Sequence, residues 1–146
     1  FHIAEPRREM TTHRCRILLV DDNERVRESL RSLLAPHDDI EIVGEASDGE
    51  EAIIQVASCQ PEIILMDINM PRMNGIQATN VIKKSPKETA IIGVCFVDDG
   101  YAIDAFLKAG ALAVVSKERL HDLHGMIQRA CASRASAFAS HTRPSS

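Results

Sequence analysis

Short apolar runs alternate with amphipathic helical stripes along most of this 146-residue chain. The runs are apolar almost throughout, which is typical of strands buried on both faces of a sheet. Between them, apolar residues recur at helical spacing. Because strands that alternate with helices build parallel sheets covered by helices, the pattern predicts an α/β fold with a doubly wound parallel sheet. The five predicted strands span residues 15–20, 40–46, 63–66, 90–95 and 112–115.

Local signals mark where several predicted helices begin and end. Asp48 followed by Glu51 is typical of a capping box at the start of a helix. Asp98 or Asp99 is predicted to cap the helix after the fourth strand. Gly110 suits the left-handed position at the end of that helix.

Composition narrows the class of protein. A hydrophobic fraction of 45% is typical of a globular domain, and with aromatics at 3% the core must be aliphatic. The net charge of −4 argues against a nucleic-acid surface on this chain. No apolar run approaches the ~20 residues that a membrane-spanning helix needs, so we expect a cytoplasmic protein without a membrane partner. The four cysteines contain no C-x-x-C pair and are expected to be small buried hydrophobes: Cys15, Cys59, Cys95 and Cys131.

The two ends differ from the alternating region. Residues 1–14 show no periodicity and are interpreted as an N-terminal extension or tag. Residues 15–132 are predicted to form the domain. Residues 133–146 are rich in Ser and Ala and resemble a linker in composition, so we expect a further domain to be absent from this sequence.

Two of the predicted strands end abruptly in aspartate. Asp21 and Asp22 follow the first strand, and Asp67 follows the third. In a flavodoxin-like (β/α)5 sheet of strand order 2-1-3-4-5, ligands bind beyond the carboxyl ends of these two strands. We therefore expect the three carboxylates to converge, where they repel each other unless a cation such as Mg²⁺ joins them. Lys117 follows the fifth strand, so its ammonium can reach the same edge. Taken singly, Asp22 also fits a helix N-cap and Lys117 a solvated surface charge.

Three histidines, His37, His121 and His124, could suggest a metal site. His121 and His124 lie at i, i+3 on the predicted last helix, with neither a cysteine nor a third ligand nearby in sequence. We therefore predict that they and His37 face solvent.

Residues 67–75, DINMPRMNG, resemble the D-x-x-M-P-x-M-x-G phosphorylation loop of response-regulator receiver domains. The acidic pair after the first strand and the segment from Gly110 to Lys117 are similar to other parts of the same family. Residues 42–52 and the pair Lys117-Glu118 resemble the branch that carries a LuxR-type helix-turn-helix output domain. The resemblance extends from about residue 15 to residue 133.

The resemblance implies a role for each site residue. Asp67 is expected to be the phosphoacceptor and nucleophile. A Mg²⁺ or Mn²⁺ ion is expected to bind Asp22 directly, Asp21 through water, Asp67, and the backbone carbonyl of Asn69. Lys117 is expected to hold a phosphoryl oxygen.

The resemblance also implies partners. A sensor histidine kinase, or a small donor such as acetyl phosphate, is expected to supply the phosphoryl group. A homodimer is compatible with the family, and DNA would be contacted only through a C-terminal output domain outside this sequence. On this interpretation the chain is a self-phosphorylating signalling domain, with weak autophosphatase activity at most, and not a turnover enzyme.

Two positions depart from the family's pattern. Cys95 stands where the family normally has a Thr or Ser that binds the phosphoryl group, and a thiol is a weaker donor. Val114 stands where the family has a switch aromatic. Both residues also fit a plain role as strand fillers. We predict that Asp67 can still be phosphorylated, while the conformational response to phosphorylation is weakened or altered.

Three alternatives compete with a phosphorylated receiver. The departures at Cys95 and Val114 favour a pseudo-receiver, an interaction module that works without phosphorylation. A haloacid-dehalogenase-type phosphohydrolase would need D-x-D, but the second position here is Asn69. A flavodoxin-like FMN binder would need a phosphate loop rich in Ser, Thr and Gly after the first strand, and none is present in the sequence.

Overall fold

The computed structural model of the chain describes residues 13–85, 88–96 and 100–142, with side chains described through residue 133. The predicted cap at Asp98 or Asp99 and most of the N-terminal segment lie outside the described residues.

The described residues form a five-stranded parallel sheet in the order β2-β1-β3-β4-β5, which confirms the predicted doubly wound fold. A helix connects each strand to the next. After the fifth strand, a 3-10 turn at Leu120–Asp122 leads into the last helix. The strands are β1 (Cys15–Val20), β2 (Ile40–Ala46), β3 (Ile63–Asp67), β4 (Ala90–Cys95) and β5 (Ala113–Ser116). The helices are α1 (Glu24–Leu34), α2 (Gly49–Cys59), α3 (Gly75–Lys83), α4 (Gly100–Ala109) and α5 (Leu123–Thr142).

The core lies in two layers, one on each face of the sheet. Along β1, Ile17 and Leu19 pack against α1 and α5, whereas Leu18 and Val20 pack against α2, α3 and α4. Because successive side chains of a strand point to opposite faces, a strand covered on both sides must be apolar throughout. The largest fully buried aromatic side chain described is Phe106, which fills the second layer.

The predicted helix signals are confirmed where they are described. The Asp48 side chain accepts a hydrogen bond of 2.8 Å from the Glu51 amide. The Glu51 carboxylate accepts in turn from the Ser47 amide at 2.6 Å, one residue earlier than in a simple capping box. Gly110 has a φ of 119°, a conformation that L-residues with a side chain rarely adopt.

The prediction that all four cysteines are isolated hydrophobes was wrong for two of them. Cys15, at the start of β1, and Cys131, in α5, form a disulfide with their Cα atoms 6.6 Å apart. Both residues belong to the same core layer, where α5 packs across the beginning of β1. A sequence separation of 116 residues hides this proximity from any local pattern.

Helix α5 continues through Thr142, ten residues beyond the predicted end of the domain at residue 132. The residues of linker-like composition are therefore helical as far as Thr142, and the domain boundary itself stays a prediction. In the described part of the chain, no helix combines the length and the apolar character that crossing a membrane requires.

Candidate functional site

The carboxyl ends of β1 and β3 bring three aspartates together. Val20 pairs with Met66 in the parallel register, so the next residues, Asp21 and Asp67, lie side by side. Their side chains are 2% and 8% exposed. Asp22 follows in the exposed mouth of the same cavity, whose volume is about 330 Å³. The predicted convergence of the three carboxylates is therefore confirmed as geometry.

Lys117 bridges the two buried carboxylates. Its Nζ donates to Asp21 Oδ2 at 2.8 Å and to Asp67 Oδ1 at 3.0 Å, and its side chain is only 6% exposed. The backbone of Lys117 is fixed by a 2.6 Å hydrogen bond from its amide to the Cys95 carbonyl, at the end of β4. Lys117 is thus a buried ammonium and not a solvated surface charge.

Burial and neighbouring charge shift the ionisation of this group of side chains. Burial raises the pKa of the Asp67 carboxyl above its usual value, and the charge of Asp21 raises it further against the opposing effect of Lys117. Burial alone would lower the pKa of Lys117, but hydrogen bonds to Asp21 and Asp67 outweigh it, so its pKa is raised. The lysine is therefore held in its charged form beside a carboxylate that is costly to ionise.

The residues present fit a divalent cation. Ligand oxygens of Asp21, Asp22 and Asp67 lie within 4.8 Å of one another. Octahedral coordination with metal–oxygen bonds of about 2.0–2.1 Å places opposite ligands about 4 Å apart. Among the described residues that line the cavity, three carboxylates face the one ammonium of Lys117, which leaves an excess of negative charge that a hard dication with oxygen ligands would neutralise.

The loop after Asp67 is held from two sides. The Gly75 amide donates to the Ile68 carbonyl at 2.8 Å, and a Cβ at Gly75 would lie 2.0 Å from the Asp67 carbonyl oxygen. Arg72, with a φ of 65°, pairs with the buried carboxylate of Asp48, and the Gly49 amide donates to the Met73 carbonyl. The loop is therefore anchored to the start of α2, and Gly75 packs so closely against the end of β3 that a side chain there would clash.

The remaining predicted site residues divide into two groups. Asn69 and Cys95 line the acidic cavity with the aspartates. Val114 lies in β5, half-buried against the second core layer, and lines a different cavity. The roles predicted for these residues stay predictions.

Sequence reasoning missed Phe96. Its ring is 61% exposed and lies over the Lys117 ammonium, with Nζ 4.7 Å from the ring centroid. A cation held against an aromatic face is stabilised by the ring's negative charge distribution. Its position directly after the fourth strand was the one available signal, because ligand-binding residues gather at strand ends.

Comparison with known proteins identifies the family. Residues 17–128 match the family described as the response regulator receiver domain. The chain belongs to this family, whose members are generally phosphoacceptors. The transcriptional regulatory protein LiaR of Bacillus subtilis is 41% identical over 103 residues, which are 70% of this chain and 48% of LiaR.

Solved structures agree with this assignment. The response regulator domain of Thermotoga maritima CheB superposes with a TM-score of 0.75 at 30% identity, covering 81% of this chain and 96% of that one. A two-component response regulator of the LuxR family from Aurantimonas sp. gives a TM-score of 0.71 at 28% identity, covering 79% of this chain and 86% of that one. The chain spans about half the length of the regulators DegU, YhcZ and LiaR, among the curated relatives that it matches.

Proposed function

We propose that this chain is the receiver of a two-component system, accepting a phosphoryl group on Asp67 from a sensor histidine kinase or a small phosphodonor. The observation that carries the proposal is the Lys117 ammonium, which is buried between the carboxylates of Asp21 and Asp67. A buried lysine that bridges two strand-end carboxylates places positive charge beside the nucleophile, where phosphoryl transfer requires it.

Asp67 acts as the nucleophile in this proposal. Its Oδ1 already accepts a hydrogen bond from Lys117, so Oδ2 is the oxygen that attacks phosphorus. The new O–P bond forms as the donor's P–N bond breaks, and the donor imidazole leaves, taking up a proton from solvent. With acetyl phosphate, a P–O bond breaks and acetate leaves.

The other residues stabilise charge during the transfer. Lys117 Nζ, held between its two partners, is within reach of an oxygen of the transferring group. Asp21, Asp22, Asp67 and the Asn69 carbonyl would hold a Mg²⁺ or Mn²⁺ ion, which would supply further positive charge for the phosphoryl oxygens. The chain works as a phosphorylated signalling domain, without turnover of a metabolic substrate.

Intact-mass analysis after incubation with acetyl phosphate and Mg²⁺ tests the proposal. Wild type should gain the mass of one phosphoryl group, and Asp67→Asn should gain none. Asp104→Asn is the matched control, because Asp104 is an exposed aspartate on α4, paired only with exposed Lys108 among the described ion pairs. An adduct that persists in Asp67→Asn would refute the assignment. No adduct on the wild type would favour an interaction module that works without phosphorylation.

We further propose that the response to phosphorylation differs from that of receivers with a hydroxyl at the end of the fourth strand. Cys95 lines the cavity with a thiol, a weaker donor, and Val114 offers no ring that can move between buried and exposed positions. Acceptance of a phosphoryl group and its transmission are therefore separable here.

Restoring the hydroxyl tests this separation. Cys95→Thr should leave the yield of phosphorylated protein close to that of wild type while increasing donor-dependent dimerisation, measured by light scattering with and without acetyl phosphate. Identical dimerisation of the two proteins would count against a role for residue 95. Val114→Tyr extends the test to the second position.

The output of the full protein is proposed to be transcriptional. LiaR is a transcriptional regulatory protein, and the Aurantimonas neighbour is described as a LuxR-family regulator. A DNA-binding domain that follows α5 in the full-length protein would receive the signal.

A further inference from the structure

A second cluster of histidine and carboxylate side chains lies away from the acidic cavity, where β1 and β2 begin. His37 and Asp39 belong to the loop between α1 and β2, and His124 lies in the first turn of α5. Ligand atoms of these three side chains lie within 4.8 Å of one another. Packing of α5 against this loop leaves His37 and His124 partly exposed, whereas His121 faces solvent as predicted.

The three side chains are in direct contact. His124 Nε2 lies 3.0 Å from Asp39 Oδ1, and the rings of His37 and His124 stack with centroids 3.5 Å apart and planes 18° apart. Because imidazole nitrogens bind a metal in the plane of the ring, the His37 ring must turn out of this stack to share an ion with the other two. Adjacent ligands in a tetrahedral site with bonds of about 2.0–2.1 Å are about 3.3 Å apart. The pair of Asp39 and His124 therefore already has the spacing that a shared metal ion requires.

Backbone hydrogen bonds hold the loop that carries two of these ligands. The His37 amide donates to the Leu34 carbonyl at 3.1 Å, and the Ile40 amide donates to the His37 carbonyl at 3.2 Å. The Cys15 amide donates to the Asp39 carbonyl at 2.7 Å, which ties the loop to β1. Such anchoring lowers the conformational cost of assembling a binding site.

The third ligand is held just as firmly. Leu123 and Ile127 flank His124 on α5 and are 0% and 1% exposed, so the helix cannot rotate without exposing core residues. Gln128 donates to Asp39 Oδ2 at 3.2 Å and so orients the carboxylate, as an outer partner of a metal ligand does.

We propose that His37, Asp39 and His124 bind one transition-metal ion of the Zn²⁺ type. Two imidazoles and one carboxylate are the donors that Zn²⁺ takes in three-ligand protein sites, with water in the fourth position. The bound ion joins α5 to the loop between α1 and β2. It therefore fixes the position of α5, at the opposite end of the strands from Asp67.

A neighbouring set of donors fits less well. Ligand atoms of Cys15, Cys131 and Glu62 also lie within 4.8 Å of one another. The two sulfur atoms are bonded to each other, and the Glu62 carboxylate accepts from the Arg16 amide and contacts His13. A disulfide sulfur is not a thiolate ligand, so the histidine site is favoured in the oxidised protein.

Calorimetric titration of ZnCl₂ into the metal-free, oxidised chain tests the proposal, with excess Mg²⁺ present to occupy the acidic cavity. Wild type should bind one Zn²⁺ per chain. His37→Ala and His124→Gln should each weaken binding by more than the roughly 10–100-fold typical of losing an outer partner of a metal ligand. Circular dichroism of each variant, compared with wild type, establishes that the fold is kept.

Three control variants locate the ion. His121→Ala removes a 76% exposed histidine three residues before His124 and should bind Zn²⁺ as the wild type does. Asp67→Asn and the double variant Cys15→Ser/Cys131→Ser should also retain binding. Co²⁺ in place of Zn²⁺ should give visible absorption without the sulfur-to-cobalt charge-transfer band of thiolate ligands.

Several outcomes would overturn the assignment. These are no binding by wild type, unchanged affinity in both histidine variants, and loss of binding in either Asp67→Asn or the cysteine double variant. A charge-transfer band from thiolate to cobalt would show that cysteines, and not the histidines, bind the ion.

Discussion

Replacing Lys117 with methionine removes one cation from between two buried carboxylates. The methionine is apolar and of similar length, so packing is largely retained while the bonds to Asp21 and Asp67 are lost. All three side chains are less than a tenth exposed, so solvent screens the remaining repulsion poorly. Removing one partner of a buried ion pair costs about 3–5 kcal/mol. We expect Lys117→Met to lower the free energy of unfolding by this amount when no divalent ion is present.

A divalent ion should reverse part of this loss. Mg²⁺ at 100 times its dissociation constant stabilises a folded protein by about 2.7 kcal/mol. Because the variant has more uncompensated negative charge in its cavity, it should bind Mg²⁺ more tightly and gain more stability from it than wild type does.

Urea unfolding in EDTA and in excess Mg²⁺, followed by circular dichroism, measures both effects. Lys108→Met is the matched control, because Lys108 pairs with Asp104 on an exposed helix surface at 3.6 Å and should cost no more than about 0.5 kcal/mol. A loss for Lys117→Met in the range of about 0–1 kcal/mol, typical of exposed pairs, would refute the argument. So would an equal stabilisation of variant and wild type by Mg²⁺.

Three further predictions follow from the same structure. The pKa of Asp67 is raised in the folded state, so its protonation contributes stability that is fully present below about pH 3.8, the ordinary pKa of the group, and is lost as the pH rises through the folded-state pKa. Asp67→Asn should therefore become more stable relative to wild type as the pH rises from acidic to neutral in EDTA. A difference that does not change with pH would contradict this. The bond between Cys15 and Cys131 closes a loop of 116 residues, so Cys131→Ser should cost about 2–5 kcal/mol in urea unfolding without reductant, a difference that dithiothreitol should abolish. Gly75→Ala would place a methyl group 2.0 Å from the Asp67 carbonyl oxygen and should destabilise the chain by about 1–3 kcal/mol, checked by thermal unfolding. Gly100→Ala, where no atom of the described residues would lie within 4 Å of the added methyl group, is the control and should not destabilise it.

The sequence predicted the sheet and its acidic edge because both follow from local patterns. A continuous apolar run such as residues 63–66 predicts a buried strand wherever it occurs, and Asp67 at its end predicts the position of a ligand. Lys117 could be placed at the same edge because it follows the last strand, but its burial between two carboxylates is a contact across 96 and 50 residues of sequence, which no local pattern predicts.

Contacts that depend on where the last helix packs could not be predicted. His124 meets Asp39 across 85 residues, and Cys131 meets Cys15 across 116. The amphipathic pattern of a helix predicts which face is buried, but not where along the sheet the helix lies. His124, predicted from its spacing to face solvent, thus lies beside Asp39 and His37, in the group proposed above to bind a metal ion.

Under the proposed function, acceptance of a phosphoryl group and the response to it rest on different parts of the sheet. Asp21 and Asp67 follow paired central strands, so strand register fixes their spacing. Lys117 follows the edge strand β5, and its amide bonds to the Cys95 carbonyl. A phosphoryl group on Asp67 changes the charge that Lys117 contacts, so the resulting force acts first on the ends of β4 and β5. This backbone route does not use the side chain at position 95, so Cys95→Thr should neither create nor abolish the response. The added hydroxyl, a stronger donor than the thiol, should change only the size of the response.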